Sequence, residues 1–204
     1  AATSLDPEIL TTPAMPFAPN GGVKLLEGNL GRSVIKTSAV QEQHHIVEAP
    51  AVVIDDQDDL KPLFEAGELD KDCVVVVRFQ GPSANGMPEL HKLTPMLGVL
   101  QDRGHKVALV TDGRMSGASG KVPAAIHLVP EASQGGPLGK IQTGDVIRLD
   151  ATTGELSAHI DETELKSRTE AQAPNVPGTV GRGLFGNNRL AISSAEEGAS
   201  SLFI

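Results

Sequence analysis

The chain has 204 residues, long enough for one domain with a substantial buried core, and a formal net charge of −9. This acidic balance, with five phenylalanines and no tryptophan or tyrosine, excludes the basic, base-stacking surfaces that nucleic-acid binding requires. No apolar run approaches the ~20 residues of a membrane-spanning helix, so we expect neither nucleic acid nor a membrane as a partner.

The N-terminal part predicts an arm followed by short strands. Residues 1–20 contain four prolines and little hydrophobic periodicity, which is typical of an extended arm or interdomain linker. Residues 21–204 are then expected to form a single domain. Acidic residues at its start and apolar residues at helical spacing predict a helix over residues 55–66, with Gly67 at its end. Apolar runs predict short strands at 23–26, 34–36 and 51–54.

The middle of the chain alternates between strands and a helix. The apolar run at residues 74–79 is typical of a strand covered on both faces, and residues 107–110 form the next strand. Between them, leucines at three- and four-residue spacing predict a helix over residues 89–103, with Pro88 in its first turn. Pro95 predicts a kink or a later start. The succession of strand, helix and strand indicates parallel pairing.

The last third of the chain predicts hairpins and short helices. Alternating runs around a Thr-Thr-Gly turn favour a hairpin, and Asp161 is placed to cap the helix that follows it. Parallel units together with hairpins predict the α/β class with a mixed sheet, for which a barrel is one possible arrangement. The predicted elements are a strand over 124–129, a hairpin of 146–150 and 156–160, a helix over 162–168, a loop over 169–180 and a final helix over 183–193.

A glycine-rich loop at residues 111–120 follows the strand at 107–110 and contains Ser116. Glycines allow backbone N–H groups to approach a ligand closely. Glu89 follows the preceding strand and its glycine- and proline-rich loop. Because adjacent parallel strands place their carboxyl-terminal loops at one edge of a sheet, we predict that Glu89 and Ser116 face the same crevice. A turn serine and a charge in the first turn of a helix are the simpler interpretations of these two residues.

Other polar residues near this loop are further candidates. For Asp112 and Arg114 an ion pair or loop hydrogen bonding is the simpler interpretation. Lys121 follows three small residues, and its point charge suits a phosphate; a solvated lysine is the alternative. The six histidines show no ligand spacing. His127 alternates within a predicted strand and is interpreted as a core or edge residue.

Four segments of the chain resemble one protein family, and they occur in the order found in that family. They are residues 21–32, 81–89, 111–126 and 130–137. On these segments the chain resembles the C-terminal domain of the dihydroxy-acid dehydratase/6-phosphogluconate dehydratase family. The run Ser-Gly-Ala-Ser-Gly-Lys-Val-Pro-Ala at residues 116–124 is similar to the phosphogluconate branch of that family.

The resemblance implies a fold, a reaction and roles for individual residues. The fold is a swivelling β/β/α domain with a mixed, barrel-like sheet flanked by helices. The reaction is dehydration of 6-phospho-D-gluconate to 2-dehydro-3-deoxy-6-phosphogluconate in the Entner–Doudoroff pathway. Ser116 is implied to be the base that removes the C2 proton, and Glu89 to reach towards a metal site. Asp112, Arg114 and Lys121 are then candidates for substrate binding.

The resemblance also implies a cofactor that this chain does not hold by itself. Family members carry an iron–sulfur cluster, expected to be [4Fe–4S], and such clusters are bound by several thiolates. This chain has one cysteine, Cys73, which opens an apolar strand and is interpreted as a small buried thiol. A lone cysteine fits a cytoplasmic protein.

The chain begins at Ala1 and is much shorter than family members, so we expect an excised C-terminal domain that is inactive alone. The partners implied are the N-terminal cluster-binding domain of the same protein, a second copy in a homodimer, and the substrate 6-phosphogluconate. A divalent cation is a further cofactor candidate.

Two alternatives stay open. The same fold could act on another sugar acid or a dihydroxy acid. The domain could instead be a non-catalytic binding or assembly module in which the motifs serve packing. An upstream segment with cluster cysteines in the native reading frame would favour the enzyme.

Overall fold

The structure, a computed structural model, describes residues 4–115, 120–174 and 186–202. The strands in these ranges are β1 Val23–Gly28, β2 Gly31–Lys36, β3 Ile46–Ile54, β4 Cys73–Val77, β5 Val107–Thr111, β6 Ala124–Val129, β7 Val146–Asp150 and β8 Glu155–Ala158. The α-helices are α1 Leu60–Glu65, α2 Pro82–Asn85, α3 Leu93–Asp102, α4 Glu162–Ser167 and α5 Gly186–Leu190. None of these helices is long and apolar enough to cross a membrane.

The strands form one closed barrel in the order β1-β2-β6-β5-β4-β3-β7-β8. Neighbours among β3, β4, β5 and β6 pair in parallel, which confirms the parallel pairing expected from the strand–helix–strand succession. The other pairs are antiparallel except at the closure, where β1 meets β8 in parallel. The predicted α/β class with a mixed, barrel-like sheet is therefore confirmed. The four parallel strands end at the same rim of the barrel, which we call the carboxyl edge.

The valine run in β4 reflects a strand that is covered on both faces. Val74 and Val76 point into the barrel interior, where they pack with Ala108 and Val110 of β5. Alternate residues of the same strand, including Val75, pack outwards in a second apolar cluster that contains the leucines of α1 and α3. All five residues of β4 are buried. Both faces are therefore apolar, as expected for a parallel strand between a barrel interior and a helical layer.

The helix predicted over residues 89–103 begins later, at Leu93, so the placement of Pro88 in its first turn was wrong. Pro95 is the third residue of α3, where a backbone N–H has no partner within the helix, and the ring is tolerated there. Glu89 does not lie at a helix start. It forms an isolated parallel bridge with Arg114. A short helix that the sequence did not predict, α2, occupies the loop after β4 instead.

The helix predicted over residues 55–66 divides into a 3-10 turn, Gln57–Asp59, and the helix α1. Asp56 caps the turn by accepting a hydrogen bond from the N–H of Asp58 at 2.8 Å. Gly67 follows the end of α1 with a φ of 75°, a left-handed conformation that favours glycine. The predicted end of the helix at this glycine is confirmed.

The C-terminal predictions are also largely confirmed. β7 and β8 form the expected antiparallel hairpin, and the carboxylate of Asp161 accepts hydrogen bonds from Thr163 and Glu164 at the start of α4. The final helix is described over Gly186–Leu190; residues 175–185 lie outside the described ranges. Residues 4–20 contain turns and no helix or strand, and the boundary predicted at residue 20 stays a prediction.

Candidate functional site

Three loops meet at the carboxyl edge, and one buried carboxylate joins them. Asp112, directly after β5, has no solvent exposure. Its Oδ1 accepts a hydrogen bond from the backbone N–H of Gln80 at 2.8 Å. Its Oδ2 accepts one from Phe79 at 3.2 Å and one from Ala132 at 2.9 Å. The side chain of Asp112 therefore fixes the loops after β4, β5 and β6 relative to one another.

The environment of Asp112 shifts its titration. Burial, the largest effect, raises the pKa of this carboxyl to about 6, and the nearby charge of Glu131 acts in the same direction. The backbone N–H groups oppose the shift because they stabilise the carboxylate. The expected loop hydrogen bonding of Asp112 is thus present, whereas a contact between this carboxylate and substrate stays a prediction.

A second carboxylate, Glu131 in the loop after β6, holds the start of α2. Its oxygens accept hydrogen bonds from the backbone N–H of Ser83 at 3.0 Å and of Ala84 at 3.1 Å. These N–H groups belong to the first turn of a helix and have no partner within it. A Cβ on Gly81 would lie 2.3 Å from Oε2 of Glu131, so only glycine permits this approach. The sequence did not single out Glu131, because a cap supplied from a distant loop has no local pattern.

Glu89 and Arg114 lie side by side at the carboxyl edge. The backbone N–H of Leu90 donates to the carbonyl of Arg114 at 3.2 Å, and Nε of Arg114 donates to the carbonyl of Met87 at 2.8 Å. The carboxylate of Glu89 is half-buried and accepts no hydrogen bond from any residue in the described ranges. Ser116 lies outside those ranges, so its predicted position opposite Glu89 stays a prediction.

The structure does not bring Lys121 to this site. Its ammonium group pairs with the carboxylate of Asp102, the last residue of α3. Because α3 returns the chain from the end of β4 to the start of β5, its last turn lies at the opposite rim of the barrel. Gln101 donates to the carbonyl of Lys121 at 3.4 Å at the same place. A contact between Lys121 and a substrate phosphate stays a prediction, and it is separate from the carboxyl edge.

Asn85, at the end of α2, is a polar candidate that the sequence did not single out. Its Nδ2 donates to Oε1 of Gln80 at 2.9 Å, while its Oδ1 is buried and has no hydrogen-bond partner among the described residues. A cavity of about 50 Å³ adjoins it, lined in part by Asp55 and Phe79. This volume suits a water molecule or one hydroxyl group.

The residues described here do not fit an iron–sulfur cluster held by this chain. Cys73 is fully buried in β4, and burial raises the pKa of its thiol to about 11, which disfavours the thiolate that binds a metal. No group of three or more His, Cys, Asp or Glu side chains in the described ranges could hold a metal ion. Glu89 could supply one oxygen ligand, but the remaining ligands would have to come from elsewhere.

The fold and this edge define a closed barrel domain whose functional candidates lie on loops after parallel strands. A family model described as dihydroxy-acid/6-phosphogluconate dehydratase C-terminal matches residues 8–199. The chain therefore belongs to this family of dehydratase C-terminal domains, as the four sequence segments predicted.

Individual relatives divide between the two branches of the family. Phosphogluconate dehydratase of Pseudomonas aeruginosa is 60% identical over 200 residues, covering 97% of this chain and 33% of that protein. The enzyme of the same name from Escherichia coli is 56% identical over 205 residues, covering 99% and 34%. Dihydroxy-acid dehydratase of Wolinella succinogenes is 35% identical over 201 residues, covering 97% and 35%. The chain spans about a third of the length of the curated relatives it matches.

The joining role of Asp112 predicts a large loss of stability on truncation. In Asp112→Ala three buried N–H groups lose their acceptor, and since each unsatisfied group costs about 1–3 kcal/mol, we expect unfolding to become easier by about 3 kcal/mol or more. Urea denaturation measures this change. Asp58→Ala, at an exposed ion pair with Lys92, is the control and should cost less than about 1 kcal/mol. Equal losses in the two variants would contradict the joining role.

The raised pKa of Asp112 predicts a pH dependence of stability. Between pH 7 and pH 5 the folded chain takes up a proton at Asp112, whose folded pKa is about 6, while the unfolded carboxyl stays ionised. This group should therefore add about 1 kcal/mol to stability as the pH falls over that interval, and the contribution is lost as the pH rises through 6. The difference between wild type and Asp112→Asn in denaturation at several pH values measures it. A constant difference would show that the carboxyl does not titrate there.

Proposed function

We propose that the intact protein is a hydro-lyase that converts 6-phospho-D-gluconate to 2-dehydro-3-deoxy-6-phosphogluconate, and that this chain supplies its C-terminal domain. The observation that carries the proposal is the identity of 60% and 56% to phosphogluconate dehydratases against 35% to a dihydroxy-acid dehydratase. In this reaction C2 loses a proton and C3 loses its hydroxyl, together one water, and the resulting enol becomes the 2-keto acid. The reaction would belong to the Entner–Doudoroff pathway.

Each candidate residue has a separate proposed role in this reaction. Ser116 is the proposed base for the C2 proton. Arg114 is exposed, and no described residue accepts a hydrogen bond from its terminal nitrogens, so its guanidinium is available for a substrate carboxylate. Glu89 is the proposed metal-facing carboxylate. Asp112 supports the site by holding its loops. Lys121, which pairs with Asp102 at the opposite rim, is kept as a separate candidate for the phosphate.

The proposal includes a cofactor and partners outside this chain. The [4Fe–4S] cluster would take its ligands from an N-terminal domain of the same protein, since the cysteine of this chain is buried within β4. A divalent cation near Glu89 and a homodimer complete the proposed assembly. A cytoplasmic location is proposed with them, because a free buried thiol and an iron–sulfur cofactor both suit a reducing compartment.

We infer that the chain by itself folds but does not dehydrate 6-phosphogluconate, because it lacks the cluster-binding part. The intact polypeptide, reconstituted with iron and sulfide, should turn over this acid faster than a short 2,3-dihydroxy acid. A keto-acid assay on both proteins, with metal analysis, measures this. Preference for the dihydroxy acid would favour the alternative substrate class, and inactivity on both acids would favour an assembly module. Turnover by the purified chain would contradict the need for a second domain.

In the intact enzyme Ser116→Ala should lower kcat by about 10²–10⁴-fold, the usual contribution of a general base, and leave KM nearly unchanged. Steady-state kinetics at full cluster occupancy measure this effect. A near-normal kcat would remove Ser116 from the mechanism.

Lys121→Ala is the companion variant, and it should chiefly raise KM if this lysine meets the phosphate. Because Lys121 pairs with Asp102, Asp102→Ala is the matched control. An equal rise in KM in both variants would assign the effect to the ion pair and not to phosphate binding.

A further inference from the structure

A β-bulge in β6 places His127 at the carboxyl edge. Val34 of β2 pairs with Ile126 of β6, and Arg32 pairs with Val129, so one residue of β2 faces two residues of β6. His127 is the residue with the unusual backbone, at a φ of 57°. Within the bulge, the hydroxyl of Ser33 donates to the carbonyl of Ile126 at 2.7 Å. The irregularity is thus hydrogen-bonded and built into the sheet.

The bulge changes which side chains face the barrel interior. Ala125 and Leu128 both lie in the interior cluster, although residues three apart in a regular strand point to opposite faces. The extra residue allows Leu128 to turn inwards. His127, the residue at the bulge, is half-buried. Sequence analysis assigned His127 to a strand core or edge. In the structure its left-handed backbone distinguishes it from the regular strand residues.

The surroundings of His127 are those of the candidate site. Its backbone N–H donates to the carbonyl of Gly113 at 2.9 Å, in the loop that carries Arg114. Burial lowers the pKa of the imidazole, and the charge of Arg114 lowers it further, so both effects favour the neutral ring. No residue in the described ranges forms a hydrogen bond with either ring nitrogen. Neither ring nitrogen is among the buried side-chain atoms that lack a partner, so the ring is accessible to solvent or to a ligand.

Backbone strain is concentrated at the same edge. Besides His127, the described non-glycine residues with positive φ include Phe79 and Met87, both in the loop after β4. A left-handed conformation costs most residues about 1 kcal/mol or more, and glycine avoids that cost. Strained residues of this kind cluster at ligand-binding sites, where the side chain serves function and not stability.

We propose that His127 is a substrate-contacting residue of the carboxyl-edge site, where its imidazole hydrogen-bonds a hydroxyl group of a hydroxy acid whose carboxylate pairs with Arg114. The proposal rests on the proposed function and adds a specificity residue to it. A neutral imidazole has one donor and one acceptor nitrogen. This pair matches a hydroxyl, which also donates and accepts, whereas Arg114, with donors only, suits the carboxylate.

The test uses His127→Gly in the intact polypeptide, with kcat and KM for 6-phosphogluconate and the melting temperature as readouts. Glycine removes the ring and relieves the left-handed backbone, so the melting temperature should stay the same or rise. KM should rise about tenfold with kcat little changed, because the hydrogen bond is present in both the ground state and the transition state. His127→Asn, whose amide can donate and accept and which tolerates this backbone, should recover part of the loss in KM. His105→Asn is the control at the start of β5, on the opposite rim, and should leave both kinetic constants unchanged.

Other outcomes overturn the proposal in distinguishable ways. A lowered melting temperature in His127→Gly with wild-type KM would make His127 a structural residue of the bulge. Wild-type KM and kcat at unchanged stability would show that the ring does not contact substrate. Absence of both turnover and binding of 6-phosphogluconate by the wild-type protein would reject the proposed function, and this inference with it.

Discussion

The carboxylate of Asp112 is the constraint on which the geometry of the carboxyl edge depends. Backbone hydrogen bonds between neighbouring strands position the strands of a barrel, but the loops beyond the strand ends lack this regular pairing. Here one buried side chain accepts backbone hydrogen bonds from Phe79, Gln80 and Ala132, and so connects loops from three neighbouring strands. Burial disfavours the charged form of this carboxylate, and the raised pKa of the carboxyl reflects that effect. The structure keeps a buried acid because three otherwise unpaired N–H groups require an acceptor.

The close approach of these loops depends on residues without side chains. A Cβ on Gly113 would lie 2.6 Å from the Cβ of Gln80, and one on Gly81 would meet Glu131. Gly81 and Gly113 are therefore explained first by close packing, Gly81 against Glu131 and Gly113 against Gln80. This explanation is compatible with a binding role, because loops held this tightly present their remaining polar groups in a fixed arrangement.

Apolar packing and polar groups separate along the chain. The valines of β4 contribute to both apolar clusters, and the leucines of α3 pack in the outer one. The Oγ1 of Thr94 and the Oε1 of Gln101, both in α3, are buried without a hydrogen-bond partner among the described residues. At the carboxyl edge, the carboxylate of Glu89, the Oδ1 of Asn85 and the ring of His127 likewise have no such partner. With Arg114 they form a polar edge on an apolar scaffold, the arrangement expected when loops carry function and strands carry stability.

Local pattern was sufficient for the strands, the hairpin and the cap at Asp161, because alternation and turn residues act between near neighbours in sequence. The family followed from the resemblance of four segments and not from these patterns. Local pattern also predicted that the loops of Glu89 and Ser116 lie at one edge of the sheet. Glu89 bridges to Arg114 of the second loop, while the position of Ser116 itself stays a prediction. Local pattern failed where a partner comes from a distant segment, since Glu131 caps a helix 48 residues away. The structure pairs Lys121 with Asp102, and a contact of Lys121 with a phosphate stays a prediction. The bulge that isolates His127 likewise exists only when β6 pairs with β2. These features depend on contacts between residues that are distant in sequence. A local sequence pattern carries no information about such contacts.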